Sequence, residues 1–152
     1  MEISLQGVNF IAQFEGWSSK PYLDGGGVPT IGFGTIKYPS GVTVTLKDKA
    51  ITKQEGLEYL LEHINSKVSK YINTTFKGLN QAQFDSLCSF AYNCGTNALN
   101  SSSLKKSILN KGTKEEITTN FMKWNKDNGK IIPGLTRRRS AEALLFNEQK
   151  YN

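Results

Sequence analysis

Residues 17–46 concentrate the backbone-breaking residues of this chain: three of its four prolines (Pro21, Pro29, Pro39) and six of its fourteen glycines (Gly25, Gly26, Gly27, Gly32, Gly34, Gly41). Proline removes a helical hydrogen bond and glycine raises the entropy cost of ordering, so no helix forms there. Interleaved with threonine and β-branched residues, the composition predicts short strands joined by turns, with Val28–Thr35 and Gly41–Leu46 as the strands. The stretch follows one helical pattern and precedes a hundred residues of further helical spacing. That order predicts an α+β fold in two lobes. The 152 residues form a single domain, 1–152, with a β-rich lobe over about 15–50 and a linking helix plus helical lobe over about 51–152.

The first helix is expected over residues 4–15, capped by Ser4 and followed by Gly16. Val8, Ile11, Ala12 and Glu15 then share one face, so an apolar stripe ends in a carboxylate. Leu57, Leu60, Leu61, Ile64 and Val68 mark a long helix over 52–72 that joins the lobes. Asn80 and Gln83 stand in capping-box register before a helix over 80–93, as do Thr113 and Glu116 before 113–124. Helices at 103–110 and 136–150 complete the set. A cleft between the lobes is the expected place for a substrate.

The apolar content of 38% and charged content of 21% belong to an ordinary folded chain. No apolar run is long enough to span a bilayer, and Glu2 stands where a secretory leader would carry Lys or Arg. No membrane anchor is expected. The expectation is a protein made in the host cytoplasm and acting elsewhere only after a separate agent releases it. The net charge of +6 arises entirely in residues 77–152, which hold twelve basic and six acidic residues. A basic surface suits polyanions, but no nucleic-acid motif is present, so no nucleic-acid partner is expected. One histidine (His63) and two cysteines are too few soft ligands for zinc; no metal and no cofactor are expected. Cys88 and Cys94, six apart on one helix, face different ways and read as free thiols. His63 lies beside the Leu57–Val68 stripe and is read as solvent-facing. Trp17 and Trp124 are assigned to packing.

Cleaving a glycosidic bond needs an acid for the leaving oxygen and a second group for the attacking water or the cationic centre. Glu15, ending an apolar stripe, is placed where its neutral form is favoured. Asp24 precedes three glycines in a polar turn, where ionisation costs less. Thr30 opens a strand and offers a hydroxyl able to hold a water against Asp24. A Glu at a helix end and an Asp in a glycine turn also occur in proteins with no such chemistry, so spacing by itself leaves both readings open.

The stretch FEGWSSKPYLDGGGVPTIGFGT resembles the active-site signature of bacteriophage-type lysozymes, glycoside hydrolase family 24. The family pattern E-x8-D-x5-T is met without a gap by Glu15, Asp24 and Thr30. The resemblance continues in QAQFDSLCSFAYNCGTNAL, SSSLKKSILN and FMKWN…GKIIPGLTRRRSAEALLF, from about residue 8 to about 146. It implies a two-lobed lysozyme fold and hydrolysis of the β-1,4 bond between N-acetylmuramic acid and N-acetylglucosamine in bacterial peptidoglycan. It implies Glu15 as proton donor, Asp24 as the carboxylate that activates water, and Thr30 as the residue positioning that water. It also implies inversion at the anomeric carbon, which requires carboxyls about 6.5–9.5 Å apart.

The resemblance implies sugar contacts at Gly34, Ile36, Tyr92 and Ser103, and a supporting role for Arg138, reaching Glu15 across the lobes and favouring its ionised form. Arg137, Arg138 and Arg139 are expected to open the last helix, where cations oppose the helix dipole. A local pair between Arg138 and Glu142 is the competing reading. The family often carries His where this chain has Thr35, so a charged contact there is not expected. A monomer acting on peptidoglycan is the reading that results. The alternatives are a lytic transglycosylase, which needs neither Asp24 nor Thr30, and a non-catalytic wall-binding module.

Overall fold

The computed structural model describes residues 1–152. Its elements run α1 (Leu5–Ala12), β1 (Ser18–Leu23), β2 (Pro29–Gly32), α2 (Lys53–Lys67), α3 (Ser69–Thr75), α4 (Gln81–Cys94), α5 (Thr96–Ser101), α6 (Ser103–Leu109), α7 (Lys114–Met122), β3 (Lys126–Asp127), β4 (Lys130–Ile131) and α8 (Pro133–Glu148). The mixed order is the α+β arrangement expected. No helix is long and apolar enough to cross a membrane.

Five departures from expectation bear on how the site is built. First, α1 stops at Ala12. Phe14 and Glu15 donate to Ile11 and Ala12 across tight three-residue turns, which carry Glu15 off the helical stripe. Second, β1 was not anticipated. It is exposed along most of its length, so no apolar alternation announces it. It pairs antiparallel with β2 (Tyr22 opposite Thr30, Leu23 opposite Pro29), with an irregularity between Ser18 and Tyr22. Third, Gly41–Leu46 is not a strand. It makes one bridge, Lys37 to Thr43, and buries Val44, whose N–H donates to Ile36. Fourth, the helix expected over 52–72 is offset at Val68, with no proline or glycine to signal the break. Fifth, α8 begins at Pro133, a favoured first helical position. The three arginines therefore sit in its second turn, beyond the reach of the dipole argument.

α4 lies at the centre. Both halves of its capping box are closed: Asn80 accepts from the Gln83 backbone, and Gln83 from that of Asn80. It packs against α1 and α8 and buries Phe84, Leu87, Phe90 and Ala91. The core continues through Leu60, Ile64, Phe121 and Phe146 to Phe33, just past β2. Trp17 packs on Phe33 (4.9 Å between ring centroids) and Trp124 on Phe90 (5.6 Å). The β hairpin is thus anchored to the helices through one shared core. Cys88 is buried and Cys94 half-buried, both as free thiols.

Candidate active site

Four predicted residues converge where α1 hands over to β1. Arg138 Nη1 donates to Glu15 Oε2 at 2.5 Å, with 4% of the arginine and 21% of the glutamate side chain exposed. The guanidinium also lies over the Phe14 ring, 5.4 Å from its centroid. Tyr92, on α4, donates its hydroxyl to the Phe33 carbonyl at 3.1 Å. Gly34 closes the group. Its φ is +90°, and a Cβ there would stand 3.1 Å from the Tyr92 hydroxyl and 3.5 Å from Glu15 Oε1. Only glycine takes that conformation without strain and leaves that space. Burial, and then the negative charge of Glu15, push the Tyr92 phenol well up, so it acts as a neutral donor at any working pH.

Arg138 is held from behind. Its Nε donates to Glu142 Oε2 (3.3 Å) and its Nη2 to the Ser89 carbonyl (3.2 Å). The local Arg138–Glu142 pair and the long-range pair to Glu15 thus exist together. Glu142 also accepts from the Ser89 hydroxyl (2.5 Å) and from Arg139 Nη2 (3.1 Å). Arg139 Nε approaches Glu142 Oε1 to 2.7 Å but is poorly aligned for a hydrogen bond. Glu142 and Arg139 are fully buried. Burial raises the Glu142 pKa, opposed by Arg139, Arg138 and the Ser89 hydroxyl.

The second carboxylate sits in the turn between β1 and β2. Asp24 Oδ1 accepts from the backbone N–H of Gly26 (2.8 Å) and Val28 (2.9 Å), while its own N–H donates to the Val28 carbonyl (3.0 Å). One oxygen is locked by the turn; Oδ2 accepts no hydrogen bond from the protein. Thr30, buried on β2, donates its hydroxyl to the Val28 carbonyl at 2.9 Å. Its proton is therefore committed, and the oxygen keeps a lone pair for an incoming donor.

The remaining predicted residues lie apart from this cluster. Ile36 is exposed and lines a groove of about 400 Å³ with Tyr38, Tyr59, His63 and Lys67. Ser103 is engaged with α7: it donates to Asn120 (3.1 Å) and accepts from Lys123 (3.3 Å). His63 is exposed as expected, yet its ring meets Tyr92 edge-on at 5.5 Å, so it leans on the site rather than pointing freely outward. Asn93, Ile132 and Arg137 were given no place at the site by the sequence. They share with Glu15 a cavity of about 480 Å³ on the α8 side. The arginine run was the only signal for any of them. A cavity of about 530 Å³ between α7 and α8 is larger but contains none of the site residues.

The family described as phage lysozyme matches residues 12–142. Over 96% of its length the chain is 36% identical to an endolysin of Bacillus phage B103, but it spans only 54% of that protein. Among solved structures, an endolysin from Escherichia coli O157:H7 phage FAHEc1 superposes with a TM-score of 0.87 at 32% identity, covering 100% of this chain and 97% of that one. The muramidase domain of SpmX from Asticcacaulis excentricus gives 0.79 at 27% identity, covering 95% and 97%.

Proposed function

Because the chain belongs to the phage lysozyme family, we propose that it is a muramidase, hydrolysing the β-1,4 bond between N-acetylmuramic acid and N-acetylglucosamine in peptidoglycan. The observation that carries this reading is the contrast between its two carboxyls. Glu15 is gripped by a buried arginine, whereas Asp24 is locked through one oxygen and open through the other. Two carboxyls in different environments suit a division between acid and base.

In this mechanism Glu15, protonated when substrate is bound, gives its proton to the oxygen leaving the muramic C1. A water donates one hydrogen to Asp24 Oδ2 and the other to the free lone pair of Thr30 Oγ1. Its own lone pair is then aimed at C1, and Asp24 takes the proton as the new C–O bond forms. The β1–β2 turn supplies Asp24 to this grip and β2 supplies Thr30. The product has a reducing end, and attack from the face opposite the leaving group inverts the anomeric carbon. The substrate is read as lying between a β-rich lobe (about 15–50) and a helical lobe (about 51–152), against Gly34, Ile36, Tyr92 and Ser103. The protein works as a monomer on the wall after release from the cytoplasm.

Glu15→Gln keeps the shape of the side chain and removes the transferable proton. Release of reducing ends from purified peptidoglycan is expected to fall by about 10²–10⁴-fold with the far-ultraviolet circular dichroism unchanged. Full activity in that variant would sink the assignment. Anhydro-sugar ends in the wild-type product would instead identify a lytic transglycosylase.

A further inference from the structure

Arg138 is asked to do two things that conflict. It must hold Glu15 in place, yet it sets a full positive charge against a group that has to deliver a proton. Behind it stand Glu142 and Arg139, both fully buried, to which nothing in the reaction assigns a role. Taking an arginine and a glutamate out of water is costly and is often no better for stability than apolar packing. Their position directly behind the one cation that touches Glu15 gives them a functional reason.

We propose that Glu142 and Arg139 are positioning residues for the reaction: they aim the Arg138 guanidinium at Glu15 and hold the net charge of the Arg138–Arg139–Glu142 cluster at one positive unit. The inference rests on Glu15 being the acid. Geometry supplies the first half. Glu142 Oε2 takes Arg138 Nε, and Ser89 takes Nη2, so rotation of the guanidinium is blocked and Nη1 alone projects towards Glu15. Charge supplies the second half. Glu142 offsets one of the two arginines, and Arg139 prevents it from drawing Arg138 away. The other titratable group against this cluster is Cys94 of α4, whose sulfur accepts from Arg139 Nη1 at 2.8 Å and whose thiol burial pushes up. Facing Glu15 are Arg138 from α8 and Tyr92 from α4, with Arg137 lining the same cavity.

The experiment is the pH profile of kcat/KM for reducing-end release from soluble peptidoglycan strands at fixed ionic strength. Glu142→Gln leaves two positive charges behind Glu15. Its alkaline limb, where the acid loses its proton, should move to lower pH by on the order of one unit. Arg139→Gln leaves a net charge of zero and should move the same limb to higher pH. The acidic limb stays within a few tenths of a unit in both. Opposite displacements are what a merely structural role would not produce. Superimposable limbs, or displacements of the same sign as general loosening would give, overturn the proposal.

If neither charge variant folds, Ser89→Ala carries the test. It removes one hydroxyl from Glu142, and a smaller shift in the direction of Glu142→Gln is expected, whereas no shift overturns the proposal. Failure of the underlying reading has a different signature. There the wild type releases no reducing ends, or Glu15→Gln releases them at full rate.

Discussion

At the scale of single residues, environment decides the role. His63 illustrates this outside the proposed catalytic group. Partial desolvation of its ring, and then the charge of nearby Lys67, lower its pKa below 6.5. A base whose folded pKa is depressed leaves stability untouched above the unfolded value, where both states are neutral. Below it the unfolded chain takes up a proton that the folded chain resists, so stability falls until the pH passes the folded value. Thermal melting of the wild type and His63→Gln between pH 7.5 and pH 5 should show a smaller loss in the variant; parallel curves would exclude the effect. The same scale explains what could be foreseen. Glu15, Asp24 and Thr30 fall within sixteen consecutive residues, so the motif they form is local and readable. Arg138 was reachable only through the family resemblance. Glu142 read as a surface partner one turn along the helix, because periodicity does not disclose that both residues are buried beneath α4.

At the scale of elements, close approach of α1 and α4 is the strictest requirement. A Cβ on Gly7 would lie 2.5 Å from the Asp85 carboxyl carbon. Asp85 is fully buried and accepts from the Ser4 backbone, the Ser4 hydroxyl, the Gln81 amide and the Tyr151 hydroxyl. Gly7→Ala gains about 1 kcal/mol in helix propensity. The clash with a carboxylate held by four donors costs about 1–3 kcal/mol. A net loss is expected, measured as a lower midpoint in urea; a gain would mean α1 can shift freely. The helices framing this contact were legible from their caps. The Thr113–Glu116 box closed only halfway: Thr113 accepts from the Glu116 backbone, and no reciprocal bond is made. The β3–β4 hairpin went unread although Asn128-Gly129, both with positive φ, is its natural turn. Strands of two exposed residues carry no apolar alternation to draw attention to it. The offset at Val68 had no local marker at all.

At the scale of the whole molecule, the hairpin and the helices share one core, with Phe33 in the same cluster as Leu60, Ile64 and Phe146. They should therefore unfold together. Trp17 reports on the hairpin side and Trp124 on the helical side. In single-tryptophan variants made by Trp→Phe replacement, both fluorescence transitions should coincide with the circular dichroism transition. Separate midpoints would mean two independently melting units.

The quartet of half-buried Glu15 with buried Arg138, Arg139 and Glu142 also bears on how such a chain can change over time. Each charge is tolerated because the others are there, so replacing one strands another in a place where an unpaired charge costs about 3–5 kcal/mol. The effect of any substitution among the four then depends on which of the others is already in place. A different solution to this corner of the protein is reached by coupled exchanges, such as an Arg139 and Glu142 pair giving way together to apolar residues, and not by a succession of single steps.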